Sequence, residues 1–419
     1  MRVEIVCTGD EVLSGKTINT NYSHMARRLQ EVGIDVLWGT TVGDDRKSLQ
    51  EAFRLASGRA DAVIVNGGLG PTVDDLSQEV AAEAAGVGLI LNEAWLENIQ
   101  GFYKARGRVM PPNNRKQAML PEGSEFIDNP VGTACGFAID IGGARFFFTP
   151  GVPREIHKML EDEIIPRLLQ MSGEQAVVRL KRFHSFGLGE SRVDDMLSGL
   201  EATAGGQVKL GFQAHYPELE TKLLARGPNS AALESLMAPL EATIRERLGS
   251  YLLAEDMASL ESVILAGLRD IDGTLAIAEC GTHGAVAGRI VAADDAGAVF
   301  RRGGLGASVK ALATALDIPD ADVSATTAAR FAEAVKATSR TSHGLAVMIP
   351  PGEEGGAGGG QGDVLIAIAA PGKPTQTRQA RIVGGKDRVR AGGVEMGLDC
   401  LRRSLQGLAI DDKVDFERQ

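Results

Sequence analysis

The sequence predicts an α/β chain: an N-terminal doubly wound parallel sheet, a small α+β domain in the middle, and a second α/β domain at the C-terminal end. Three observations predict it. Short apolar runs alternate with helix-period stretches across residues 3–170, the signature of β-α-β units and a parallel sheet. The run Ala62-Val63-Ile64-Val65 is continuously apolar, as a strand covered on both faces must be. Polar or glycine-rich turns follow the strands at 8–11, 42–45, 67–75 and 150–151, and such sheets bind ligands beyond the C-terminal ends of their strands.

Taken in order, the pattern gives strands over 3–7, 35–41, 62–65 and 144–148, with helices over 19–32, 47–57, 76–85, 95–106 and 154–169. From about 175 to 255 it changes. Strands over 177–186, 208–215 and 220–225 and helices over 190–200 and 230–247 suggest a ferredoxin-like sandwich, suited to spacing or dimerisation. From 259 onward α/β alternation returns, with a helix over 260–270, a strand over 274–278, a turn over 279–284 leading into an alanine-rich helix, and a strand over 364–369. Seven glycines in residues 352–362 read as a loop. The expected domains are 1–172, 173–256 and 257–419.

The formal charge of −11 in 419 residues argues against nucleic acid as a partner, because that binding needs clustered basic residues to displace counterions. Cys7, Cys135, Cys280 and Cys400 are scattered, with no CxxC spacing, which disfavours a disulfide framework or a structural zinc site. No apolar stretch approaches the ~18 residues that span a bilayer. The first strand begins at once, with no leader ahead of it, so the expected location is the cytoplasm, away from any membrane.

The chemistry concentrates around Gly67-Gly68-Leu69-Gly70-Pro71-Thr72-Val73-Asp74-Asp75. A glycine-rich turn between strand and helix lets backbone N–H groups converge on an anion. Two aspartates repel a bare phosphate, but they suit a phosphate bridged by a divalent cation. The candidate site therefore gathers Asp10, Glu11, Asn19, Asn21, Gly67, Gly68, Gly70, Thr72, Asp74, Asp75, Asn114 and Lys116, with Pro150 and Gly151 at a neighbouring strand end. Asp74 and Asp75 are the expected metal ligands. Lys116, or Arg115 beside it, is placed to neutralise phosphate charge.

Several motifs, Gly9-Asp10-Glu11, Asn19-Thr20-Asn21, 42–45, 67–75, 113–117, Asn129–Ala134, 150–153, 186–191 and 211–218, resemble the CinA family over residues 1–290. The N-terminal region is also similar to the molybdopterin-binding MoaB and MogA proteins. The resemblance implies an ADP-ribose pyrophosphatase that needs a divalent metal such as Mg and potassium. On that reading Asp10, Glu11, Asp75 and Lys116 are catalytic, the substrate is a nucleotide split into AMP and ribose 5-phosphate, and the protein is a homodimer. The alternative is a pterin- or nucleotide-binding protein without catalysis.

The resemblance also implies a nicotinamide mononucleotide deamidase at the C-terminal end, and there the chain departs from the family. Glu279-Cys280-Gly281-Thr282-His283-Gly284 stands where the family has a serine nucleophile. Cys280 takes the serine's place, with His283 expected on the same helical face. In 303–311 the family's tyrosine is absent and Leu312 falls at its lysine. The expectation is a degenerate domain without deamidase activity, with a Cys280-based amidase as the alternative.

Overall fold

The computed structural model describes residues 1–173, 177–294, 297–350 and 361–418. Contacts divide the chain into two compact units: Met1–Arg179 with Arg226–Ser230, and Leu180–Ala225 with Ala231–Gln419. The expected middle and C-terminal domains thus fall in one unit, and packing does not break near residue 256: Phe186, Leu253 and Ala254 share a core with Leu260, Ile264 and Leu401.

The first unit is built on a six-stranded sheet in the order Val36–Val42, Val3–Thr8, Ala62–Asn66, Ala144–Thr149, Gly136–Ile141, Glu125–Ile127. The first four strands pair parallel. The last two run antiparallel, so the expected parallel sheet is completed by an antiparallel edge. Alternate residues feed opposite faces. Ile5, Ala62 and Ile64 pack with helices Thr20–Glu31 and Pro153–Met159, whereas Val6, Val63 and Val65 pack with Arg46–Arg59 and Ser77–Ala85. Register places Cys7 opposite both Thr41 and Asn66, and Asn66 opposite Thr149. All four parallel strands therefore end at one level, and their turns share one rim.

In the second unit the middle segment forms a four-stranded sheet in the order Val208–His215, Glu218–Gly227, Val177–Phe186, Leu252–Glu255. Helices Glu190–Leu197, Leu200–Thr203 and Ser230–Leu248 accompany it. The expected pattern lacked the second short helix and the closing strand. The C-terminal sheet runs Phe300–Gly306, Leu275–Cys280, His343–Met348, Gln361–Ala369, Gln376–Val383, parallel over the first three strands and antiparallel over the rest. Helix Lys386–Gln406 packs on it. A Cβ on Gly397 would come within 2.6 Å of Val347, and one on Gly393 within 2.7 Å of Ile349; only glycine permits so close an approach. Residues 351–360, most of the expected glycine-rich loop, lie outside the described residues. Among the described residues no helix is long and apolar enough to cross a membrane.

Candidate functional site

The polar cradle of the first unit starts from Asn66, the last residue of its strand and 4% exposed. Its Nδ2 donates to Thr149 Oγ1 (3.2 Å) and to the Pro150 carbonyl (2.7 Å). Asn21 Nδ2 donates to Asn66 Oδ1 (2.9 Å) and to the Gly151 carbonyl (2.7 Å). This buried chain fixes turn 150–151 against turn 67–75, and the Gly67 N–H donates to the Thr149 carbonyl at 2.9 Å. Gly67 and Gly68 have φ of 117° and 71°. A Cβ on Gly67 would meet Thr8 Oγ1 at 2.5 Å, and one on Gly68 would meet Ser77 Oγ at 2.3 Å. Ser77 closes the turn: its N–H donates to the Gly68 carbonyl (3.1 Å) and its hydroxyl to the Gly67 carbonyl (2.9 Å).

Two features of this cradle point outward to a ligand. The N–H groups of Gly68, Leu69 and Gly70 make no hydrogen bond to another described residue. Thr8 Oγ1 and Asn21 Oδ1 are buried and also unpartnered among the described residues. Buried polar atoms rarely go unsatisfied, and consecutive free amides at the entry to a helix form an anion-binding concavity.

The carboxylates line the same rim in a different state from the expected one. The Asp10 N–H donates to Asp44 Oδ2 (3.0 Å) and the Asp44 N–H to Asp10 Oδ1 (3.2 Å), a reciprocal pair that clasps two turns. Burial, opposed by the Asp10 amide and reinforced by the charges of Asp10, Glu11 and Asp75, holds the Asp44 carboxyl above the usual range. Asp75 Oδ2 accepts from the Thr72 N–H (2.8 Å) and hydroxyl (2.6 Å). Gly70 leaves room for this contact: a Cβ there would meet that oxygen at 2.4 Å and displace the carboxylate. Asp74 is exposed. Among the described residues no group of three or more His, Cys, Asp or Glu side chains is arranged to hold a metal ion. The two residues expected to carry a divalent ion, Asp74 and Asp75, do not by themselves make a site for one, since Asp75 Oδ2 is committed to its own turn.

Other expected site residues turn out to be braces. Asn19 caps helix Thr20–Glu31, accepting from the Tyr22 N–H at 3.0 Å. Asn114 is buried and donates to Gln117 Oε1 at 2.7 Å. Lys116 Nζ donates to the Thr72 carbonyl (3.1 Å) and lies 3.4 Å from Glu79, so it pins the turn. The structure therefore brings Asn21, Gly67, Gly68, Gly70, Pro150 and Gly151 to one cradle and sets Asp10, Glu11 and Asp75 along its rim. Thr8, Asp44, Asn66, Ser77 and Thr149 were absent from the expected set. A polar residue ending an otherwise apolar run, as Asn66 and Thr149 both do, was the available signal.

In the second unit Cys280 ends strand Leu275–Cys280 and is 1% exposed. Burial, opposed by a backbone bond with Ile349 and reinforced by the Glu279 charge, pushes its thiol up to about 11. Gly281, His283 and Gly284 have φ of 76°, 57° and 80°, and the helix begins only at Ala285. His283 is exposed while Cys280 is buried. The two do not share a helical face, and the expected Cys280 nucleophile is corrected on both counts. Glu279 anchors the helix instead: it accepts from the Thr282 hydroxyl, the Val286 N–H (3.1 Å) and the Ala287 N–H (3.0 Å). Lys310 is exposed, and Leu312 packs in the core with Phe331.

All four cysteines are free and buried, and burial pushes Cys135 and Cys400 up to about 12. At pH 8 a group titrating near 11 is only about one-thousandth thiolate. The native protein is expected to react with an aromatic disulfide reagent at under about a hundredth of the rate of the urea-unfolded chain. Rapid labelling of native Cys280, located by peptide mapping, would restore it as a reactive group.

Family models match the chain in three segments. These are described as a probable molybdopterin binding domain over 4–170, a damage-inducible protein CinA KH domain over 180–254, and a CinA C-terminal domain over 257–405. A CinA-like protein of Myxococcus xanthus is 35% identical over 415 residues, covering 97% of this chain and 98% of the relative. One of Shewanella halifaxensis is 36% identical over 419 residues, covering 98% and 97%. Among solved structures, the protein CinA from Thermoplasma acidophilum, of unknown function, is 34% identical; it covers 41% of this chain and 96% of that chain, with a TM-score of 0.36.

These findings correct two expectations and leave a third standing. The segment expected to be an ADP-ribose pyrophosphatase matches a binding-domain description, and among the described residues its carboxylates form no group of three or more that could hold a metal ion. The middle segment matches a KH description, and its β-α-β-β-α-β order around the four-stranded sheet keeps the expected ferredoxin-like pattern. The C-terminal segment, expected to be degenerate, still matches its family's model.

Proposed function

The chain belongs to the CinA family, and from that premise we propose that its N-terminal unit binds a phosphorylated pterin of the molybdopterin class. The observation that carries this reading is the row of free amides at Gly68, Leu69 and Gly70, set beside the unpartnered Thr8 Oγ1 and Asn21 Oδ1. The phosphate suits the amides. The amino and ring N–H donors of a pterin suit the carboxylates of Asp10 and Glu11 along the rim. The KH-like segment adds no nucleic-acid site to this picture. KH modules grip RNA through a Gly-x-x-Gly loop, and residues 180–254 contain no such spacing. Self-association as a homodimer and a cytoplasmic location complete the reading.

Thermal-shift titration of the full chain with molybdopterin tests it. At a hundredfold excess over Kd the midpoint is expected to rise by about 5 °C or more. Gly68→Ala is expected to abolish the shift, because the new Cβ lands on Ser77 Oγ and the left-handed φ is strained. A full shift in that variant sinks the proposal.

A further inference from the structure

The most basic stretch near the cradle is 104–116, which holds Lys104, Arg106, Arg108, Arg115 and Lys116 and no acidic residue, in a chain of net charge −11. Its end is clipped to the glycine-rich turn. Asn113 Nδ2 donates to the Pro71 carbonyl (3.4 Å), Lys116 Nζ to the Thr72 carbonyl (3.1 Å), and Gln78 Nε2 to the Lys116 carbonyl (3.4 Å). Arg115 sits between two of these clips, directly beside the turn whose amides are free. It is exposed, and among the described residues its side chain has no hydrogen-bond or ion-pair partner. The Arg108 side chain is likewise exposed and without such a partner among the described residues, but it lies farther from the clips along the chain. Arg106 rests on the Phe102 ring, 3.5 Å from its centroid. Lys116, bound to Thr72 and Glu79, is already engaged.

We propose that Arg115 is the specificity-determining residue that selects a phosphorylated ligand over its unphosphorylated counterpart, by closing on the phosphoryl group held by the Gly68–Gly70 amides. This rests on the binding reading given above. A planar guanidinium donates in pairs to phosphoryl oxygens and stays charged at every working pH. The amides supply fixed partial charge without a full positive charge. The acidic rim of Asp10, Glu11, Asp44 and Asp75 would repel an approaching phosphate, and Arg115 supplies the opposing full charge on the other side of the turn.

The test is isothermal titration of the full chain with inorganic phosphate and, separately, with an unphosphorylated pterin. Arg115→Ala is expected to weaken phosphate binding about tenfold and to leave the pterin affinity within about twofold. Arg115→Lys should recover part of the loss, because charge is kept and the fork is lost. Arg108→Ala, which removes the same charge from the same stretch, should change phosphate affinity by less than about twofold. Equal losses in the two alanine variants would mean a diffuse field and overturn the assignment, as would no loss in Arg115→Ala. Gly68→Ala separates the two levels. If it abolishes phosphate binding while Arg115→Ala does not, only the Arg115 inference falls. If it leaves phosphate binding intact, or if the wild-type chain binds neither probe, the cradle reading falls and takes this inference with it.

Discussion

Replacing Arg289 by methionine is expected to destabilise the second unit by about 3–5 kcal/mol, the usual consequence of removing one partner from a buried ionic group. Arg289 lies on helix Ala285–Ala293 and donates to both Glu261 and Glu395, with Glu218 at 3.9 Å. Glu395 is fully buried on the long C-terminal helix, and its Oε1 has no partner among the described residues. Burial raises its carboxyl to about 8 even though Arg289 opposes the shift. The sign follows from linkage. The folded form holds a proton that the unfolded chain releases near 4.5, so this group's contribution is complete below 4.5 and is lost as pH rises through about 8. Glu261 acts in the other direction. Burial raises it, but Arg289 prevails and holds its carboxyl below the usual range, so its contribution is lost as pH falls through that lowered value. Urea unfolding at pH 6, 7, 8 and 9 should show this group's contribution to the wild-type midpoint falling between pH 6 and 8 and levelling off above that. Glu395→Gln should flatten that slope while Arg289→Met lowers every point. Matching midpoints for Arg289→Met and wild type would show that this cluster does not bear on stability.

The second large effect is expected at Asn66. Asn66→Ala removes the three hydrogen bonds that the side chain makes with Thr149, Pro150 and Asn21. Thr149 Oγ1 still donates to the Val65 carbonyl and Asn21 Nδ2 still reaches the Gly151 carbonyl, so the group left without a side-chain donor is the Pro150 carbonyl. Loss of three bonds with one buried orphan predicts about 2–4 kcal/mol, read as a fall in the denaturation midpoint. Asn66→Asp is the sharper variant: similar in shape, it sets an acceptor against the Pro150 carbonyl where the wild type has a donor at 2.7 Å. Because the same bonds lock turn 150–151 to turn 67–75, both variants should also lose the molybdopterin-induced shift. A stable Asn66→Ala protein with full ligand response would show that the network is incidental to the cradle.

The legible parts of this chain were those decided by local periodicity. The run 62–65 read as a buried strand because each of its side chains is apolar, and it is buried throughout. The glycine turn was legible because positive φ at Gly67 and Gly68 excludes most other residues. The long helix Lys386–Gln406 was not legible. It has no place in the expected pattern; Gly392, Gly393 and Gly397 carry low helix propensity, and Glu395, Asp399, Arg402 and Arg403 are buried where charged residues seldom are. Asp399 pairs with Arg402 and Arg403 on the same helix, whereas Glu395 depends on Arg289, more than a hundred residues away in sequence. Cys280 shows the same limit. Its place before a glycine-rich turn suggested a nucleophile at a helix start, but burial and the left-handed turn that follows decide otherwise.

By itself the sequence determined the alternation of strand and helix, the turn at 67–75 and the deficit of positive charge, because each follows from composition or from neighbours a few residues apart. Tertiary structure alone decided which polar groups meet. Parallel register sets Cys7, Asn66 and Thr149 level, and that alignment makes the Asn21–Asn66–Pro150 chain possible. It also turned Lys116 and Asp75 into fasteners of a turn, and left the Arg115 side chain, among the described residues, without a hydrogen-bond or ion-pair partner. The reason is physical: a side chain's role depends on which neighbour claims its hydrogen bonds and how much water remains, and both are set by contacts across the fold.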